Sequence, residues 1–357
     1  MTDAGGSRDE AAESDPPLRR RGVDRHSVAP SGDSAEAPSH RRAAREEFES
    51  QVAHARAEFE SQVAHARAEF EEVNDRINKR TGRDLLKAIA IGAAIGLVLL
   101  ASLLFFKQAF ILFALAAAVL GIFELSRALT ASGRRIDIVP QLVAGVALTL
   151  SGYFADVGLH WVVVFVAVAL VIVWRLVAQM IAADGRTYGA VLDDVLAGSL
   201  LQLYVPFLAS LCLVLLRQDH GEWWVLGFII VAVVSDTGAY ASGLAFGRHP
   251  MAPRISPNKT WEGFAGAAAA ALAAGVLLAL FMLGLPWWAG LVFGAAVLLT
   301  ATAGDLGESM IKRDLGIKDM SSWLPGHGGV LDRLDSILPS TISALALYYL
   351  LSPMATI

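Results

Sequence analysis

The chain has 357 residues, 55% of them hydrophobic, with mean hydropathy +0.52 and a formal net charge of −5 at pH 7. A soluble domain is nearer about 45–50% apolar, and the single cysteine, Cys212, excludes an intrachain disulfide and a cysteine-based metal site. Charge is concentrated at one end: residues 1–84 hold 14 Lys/Arg and 18 Asp/Glu, leaving 31 charges for the other 273 residues, which are therefore expected to be mostly membrane-embedded.

Residues 1–45 are polar and lack the apolar core of a cleavable signal peptide. Residues 1–44 read as disordered, because they cannot bury enough apolar surface to offset ordering entropy. Within 46–72, Glu47-Phe48-Glu49-Ser50-Gln51-Val52-Ala53-His54-Ala55-Arg56-Ala57 recurs at 58–68, a period of 11 residues. That period is close to three helical turns, so Phe48, Phe59 and Phe70 share a stripe with Val52 and Val63. A charged helical spacer is the simplest reading, with a coiled-coil or membrane-surface contact as the sharper one.

From residue 85 the chain turns apolar. Spans are expected near 86–106, 109–129, 136–154, 158–177, 197–216, 223–246, 262–283, 286–306 and 330–351, each near the ~20 residues that cross a bilayer as a helix. The fold class is thus an all-α, polytopic integral membrane bundle of about nine helices with a disordered or helical N-terminal tail. It divides into the tail (1–84), the N-terminal and middle spans (85–220) and a C-terminal catalytic region (221–357). With the N-terminus cytosolic, 13 Lys/Arg outside the tail fall on the cytosolic side and only Lys107 and Arg217 on the other, as the positive-inside rule requires.

Three polar constellations interrupt the spans. Ser235-Asp236-Thr237-Gly238-Ala239-Tyr240 lies inside the sixth, where an Asp costs about 2.5–3.5 kcal/mol on the insertion scale and serves either a site or an interhelical hydrogen bond. The loop 247–263 is basic and contains three prolines. Its Ser256, Asn258, Lys259 and Thr260 precede a helix N-terminus, which favours anions, whereas Arg248 and Arg254 are equally well read as topology signals.

Residues 304–336 form the third constellation. Asp305, Ser309 and Lys312 fall on one helix face, as do Asp332, Asp335 and Ser336. Between them lie Lys318, Asp319 and the turn Pro325-Gly326-His327-Gly328-Gly329, whose two last glycines let backbone N–H groups approach an anion. His327 has no second His at zinc spacing and is expected to hydrogen-bond within the loop. Hard oxygen ligands beside phosphate-binding cations point to Mg²⁺, with Asp305 and Asp332 as its ligands and room for a second cation.

These stretches carry a resemblance. Ser309-Met310-Ile311-Lys312-Arg313, Lys318-Asp319 and Pro325-Gly326-His327-Gly328-Gly329-Val330-Leu331-Asp332-Arg333-Leu334-Asp335 closely resemble the signature of the phosphatidate cytidylyltransferase (CDP-diacylglycerol synthase) family. The 235–240 and 256–263 blocks are similar to that family's upstream blocks, in the same order, and the likeness covers roughly 85–352. It implies Mg²⁺-dependent transfer of CMP from CTP to phosphatidic acid, giving CDP-diacylglycerol and pyrophosphate. Asp236, Asp305, Lys312, Asp332 and Asp335 would be catalytic. Ser256, Asn258, Lys259, Thr260, Arg313, Lys318, His327, Gly328, Gly329 and Arg333 would bind substrate. The expected partners are CTP, phosphatidic acid and membrane lipid, with no nucleic acid; a homodimer is left open. The expected setting is a multi-pass plasma-membrane protein of a bacterium, of high GC content from its Ala-, Arg- and Val-rich style. A CTP-using lipid kinase, a CDP-archaeol-type synthase and a cation-coupled transporter are the competing readings, the last predicting inverted repeats that the sequence lacks.

Overall fold

The computed structural model describes residues 58, 61, 85–182, 184–321 and 328–356. The expected disordered tail and 11-residue repeat lie outside them, apart from Glu58 and Ser61, both helical. The remainder is helical except for one small hairpin. Helices α1 (Leu85–Phe105), α2 (Lys107–Ala131), α3 (Ile138–Phe154), α4 (Val157–Ala182), α5 (Tyr188–Tyr204), α6 (Pro206–Arg217) and α7 (Gly221–Phe246) are followed by strands β1 (Pro250–Ala252) and β2 (Ser256–Thr260). Then come α8 (Trp261–Phe281), α9 (Trp287–Asp314), the single turn α10 (Leu331–Leu334) and α11 (Ile337–Leu351).

Seven segments among the described residues are long and apolar enough to cross a membrane: Lys107–Ala131, Val157–Ala182, Tyr188–Arg217, Gly221–Phe246, Trp261–Phe281, Trp287–Asp314 and Leu331–Met354. The other two expected spans coincide with shorter apolar stretches, Gly92–Phe105 and Ile138–Phe154. A 17-residue helix such as α3 is about 25 Å long at 1.5 Å per residue, below the ~30 Å hydrocarbon core. Apolar side chains on α4, such as Phe165 at 71% exposure, face outward as a lipid-facing helix would present them.

Two details depart from the expected layout. The fifth segment starts at Tyr188, not near 197, and takes in Asp194, which is 1% exposed and neutralised inside the bundle. Its Oδ2 accepts from Arg175 Nε and Nη2 (3.1 and 2.7 Å) and its Oδ1 from Arg186 (2.9 Å) and the Arg135 backbone N–H (2.8 Å). The segment also breaks at Val205–Pro206, since a proline has no N–H to continue the ladder but suits the first turn of the next helix. The second departure is the antiparallel hairpin, with Pro250 opposite Thr260 and Ala252 opposite Ser256, in a chain expected to be all-α.

Small residues draw the C-terminal helices together. A Cβ built on Gly275 of α8 would stand 2.3 Å from the carbonyl oxygen of Gly290 on α9, so the two backbones meet only because neither residue has a side chain. Beside this seam Trp224 of α7 packs edge-on against Phe293 of α9 (5.8 Å) and Tyr348 of α11 (5.3 Å). These contacts join the N-terminal halves of α7 and α9 to the C-terminal halves of α8 and α11, and leave the other ends of these helices beside the hairpin.

Candidate active site

A cavity of about 370 Å³ opens where those ends meet the hairpin. Its walls carry Asp236 from α7, Asn258, Lys259 and Thr260 from β2, Asp305 from α9, Asp332 and Arg333 from α10, and Asp335 just after it. Eight of the residues expected to act on substrate are thus brought into one space. A larger cavity, about 680 Å³, is lined by the C-terminal part of α2 and residues 317–321. Its charged groups are Glu124, Arg127 and Asp319, against four carboxylates and two cations in the smaller cavity, which is the better fit to phosphate and metal chemistry.

Several residues at and around these walls are held by local contacts. Lys259 ends the hairpin and pairs with Asp305. Thr260 caps α8: its Oγ1 accepts the Gly263 N–H at 3.1 Å. Glu262 ties the start of the hairpin down, taking the Arg248 and His249 backbone N–H groups on Oε2 (3.1 and 3.2 Å) and the His249 ring on Oε1 (2.5 Å). Arg313, at the end of α9, donates from Nε to the Ile255 carbonyl (3.1 Å) and so braces the hairpin from the opposite side.

On the α9 side, Lys312 bridges two carboxylates, Glu308 Oε2 at 2.7 Å and Asp332 Oδ1 at 2.9 Å. Asp332 Oδ2 accepts the backbone N–H groups of Met320 (3.0 Å) and Gly329 (2.8 Å). Ser336 Oγ donates to Asp236 Oδ2 (3.0 Å), joining residues 100 apart in the chain. The helix expected to begin at 330 is broken, so Asp332, Asp335 and Ser336 share a turn and a link instead of one continuous face.

The backbone donors around Gly328-Gly329 are not free to cradle an anion as expected. The Gly329 N–H goes to Asp332, and those of Val330 and Leu331 go to Glu124 (3.0 and 2.9 Å). Ser256 lies at the start of β2 opposite Ala252, outside the cavity lining, and Lys318 is exposed on the loop after α9. His327 falls outside the described residues.

Glu124 and Glu308 were missed by the sequence reading, although both are buried, at 1% and 0% exposure. The signal that singled out Asp236, an acid inside an apolar helix, was present at Glu124; Glu308 stands in the polar stretch just past the expected span.

Among the described residues, five carboxyl groups, Asp236, Asp305, Glu308, Asp332 and Asp335, lie here with three cations, Lys259, Lys312 and Arg333. Glu308 Oε1 is buried with no hydrogen-bond donor among the described residues. A set this rich in carboxyl oxygens and short of donors fits a hard divalent cation. No group of three or more Asp, Glu, His or Cys residues among the described residues forms a ready-made metal site. Phosphate oxygens of a substrate would therefore have to complete the shell, as is usual for Mg²⁺.

The sequence model of the cytidylyltransferase family matches residues 86–351. The chain is 41% identical over 272 residues to the phosphatidate cytidylyltransferase of Mycobacterium tuberculosis (strain H37Rv), covering 74% of this chain and 82% of the relative. It is 39% identical over 282 residues to that of Mycobacterium leprae, covering 76% of this chain and 90% of the relative. A similar protein of the same name from Brucella suis is 42% identical over 150 residues, 42% of this chain and 54% of the relative. The matched region holds every residue of the cavity and leaves out the N-terminal tail. With its buried carboxylates, its basic hairpin and this match running through both, the chain belongs to the cytidylyltransferase family.

Proposed function

We propose that the protein is a phosphatidate cytidylyltransferase, transferring CMP from CTP to phosphatidic acid. A phosphate oxygen of phosphatidic acid attacks the α-phosphorus of CTP, the bond from that phosphorus to the bridging oxygen breaks, and pyrophosphate leaves with CDP-diacylglycerol as the other product. The observation that carries this reading is the convergence of Asp236, Lys259, Asp305, Asp332, Arg333 and Asp335 in one cavity at the ends of apolar helices. Both substrates are anions, so the step needs charge neutralisation and in-line placement more than a strong base.

Asp305 and Asp332 would hold Mg²⁺, with Asp236 and Asp335 beside it; the ion, when bound, would offset charge on the reacting phosphates. Asp305 need only release Lys259, whereas Asp332 is fixed by Lys312 and two backbone donors and is the stiffer ligand. Lys259, once released, is placed to pair with phosphate, and Arg333 offers a forked donor in the same space. Lys312 holds Asp332 in register. Arg313 and Lys318 would meet the outer phosphates, and Asn258 offers a neutral amide at the cavity wall.

In this reading the chain crosses a bacterial plasma membrane nine times, the two shorter apolar helices included, with the N-terminus and the cavity on the cytosolic side. The 13-to-2 distribution of Lys/Arg supports that orientation. A cytosolic cavity at the bilayer surface gives access to one soluble and one lipid substrate. A homodimer is a separate arrangement that the mass of the purified protein in detergent would test. The function is tested with purified protein, α-labelled CTP, phosphatidic acid and Mg²⁺. Label moving into a lipid of the mass of CDP-diacylglycerol supports the transfer. Transfer of γ-label alone would replace it with a lipid kinase.

A further inference from the structure

Resting on the transferase reading above, we infer that Glu124 is a positioning residue that fixes the loop carrying Gly328, Gly329 and Asp332 against α2. Its carboxylate is 1% exposed, inside an apolar helix; it lines the larger cavity and not the smaller one that holds Lys259 and Asp305. Both of its oxygens are turned onto the loop. Oε1 accepts from Ser321 Oγ at 2.6 Å and from the Val330 N–H at 3.0 Å. Oε2 accepts the Leu331 N–H at 2.9 Å.

One oxygen therefore joins the chain before the Pro325-Gly326-His327 stretch to the chain after it, and closing a loop at its base removes conformational freedom that binding would otherwise have to remove. Asp332 makes the matching closure with Met320 and Gly329. Two carboxylates thus pin the same two ends, and only Asp332 also lines the reaction cavity.

Gly329 completes the fit. A Cβ built there would stand 2.7 and 2.9 Å from the two Glu124 oxygens, so the carboxylate occupies the space a side chain would need. The contact can therefore be loaded from either side, by shortening the acid or by enlarging the glycine.

The test uses the full chain with Glu124→Gln, Glu124→Asp, Gly329→Ala and the Glu124→Asp/Gly329→Ala pair. Glu124→Gln is expected to lower kcat/KM for CTP by about 10–100-fold, the range for losing hydrogen bonds to a charged acceptor. KM for phosphatidic acid should move less than about twofold. Gly329→Ala alone should give a comparable loss, and the pair should be little worse than Glu124→Asp, because the shorter acid vacates the space. Amide exchange at Val330 and Leu331 should accelerate in Glu124→Gln whether or not the wild-type protein transfers CMP. Faster exchange in Glu124→Gln, with a wild-type protein that does not transfer CMP, would keep the clamp and discard the transferase reading. A uniform fall in kcat with both KM values unchanged, losses that multiply in the pair, or unchanged exchange would each overturn the inference. Should Glu124→Gln not fold, Gly329→Ala with its amide exchange decides the same question from the loop side.

Discussion

Replacing Asp305 by Asn separates a wet ion pair from a catalytic carboxylate. Asp305 contacts Lys259, and their side chains are 30% and 25% exposed. A pair that open to water contributes about 0–1 kcal/mol, so if pairing were its whole role the variant would lose almost no stability and at most about fivefold in rate. A carboxylate holding a divalent ion against the reacting phosphates contributes several kcal/mol to the transition state, and each 1.4 kcal/mol is about tenfold. The expected outcome is a loss of at least 10³-fold in turnover with thermal unfolding within a few degrees of the parent. The assay is transfer of α-label from CTP to lipid, followed over a Mg²⁺ titration, with monodispersity in detergent as the folding control. The Asp305→Asn/Asp332→Asn double variant should turn over little more slowly than the worse single one, since two ligands of one ion fail together. Near-normal turnover of Asp305→Asn at any Mg²⁺ concentration, or losses that multiply in the double variant, would refute the reasoning.

Asp332→Asn should differ by costing stability as well as turnover, because its side chain is 6% exposed and bonded to Lys312 and two backbone N–H groups. Melting in detergent should show a loss of up to about 3 kcal/mol, the low end for breaking a buried pair, as Glu308 still holds Lys312. Gly304→Ala places a methyl 2.2 Å from the Asp335 carbonyl oxygen and 2.5 Å from Pro339 Cγ, so kcat should fall at least about tenfold. Gly307→Ala, with nothing within 4 Å of its Cβ, should change kcat by less than about twofold, and equal effects of the two would remove the packing argument. Deleting residues 1–80, which precede the family match at 86–351, should leave specific activity in detergent within a few-fold; inactivity of a well-folded truncation would give the tail a part in the chemistry.

The sequence by itself determined where the chain is apolar, because a bilayer-length segment is a local property: each expected span overlaps an apolar helical segment, two of them broken, and seven segments among the described residues reach crossing length. It also picked out Asp236, Lys259, Asp305, Asp332, Arg333 and Asp335, since charges standing in or beside apolar runs are costly and seldom placed without a use. Tertiary structure decided how those groups are paired. Glu124 meets Val330 across 206 residues and Ser336 meets Asp236 across 100, separations at which periodicity carries no information about contact. It also decided that the fifth segment runs back to Tyr188 and buries Asp194, because only the fold brings Arg175, Arg186 and the Arg135 backbone around its carboxylate. The Gly329 N–H shows the same limit: a glycine pair announces that backbone can come close, but which acceptor it meets depends on the helices packed against it, and here that acceptor is Asp332.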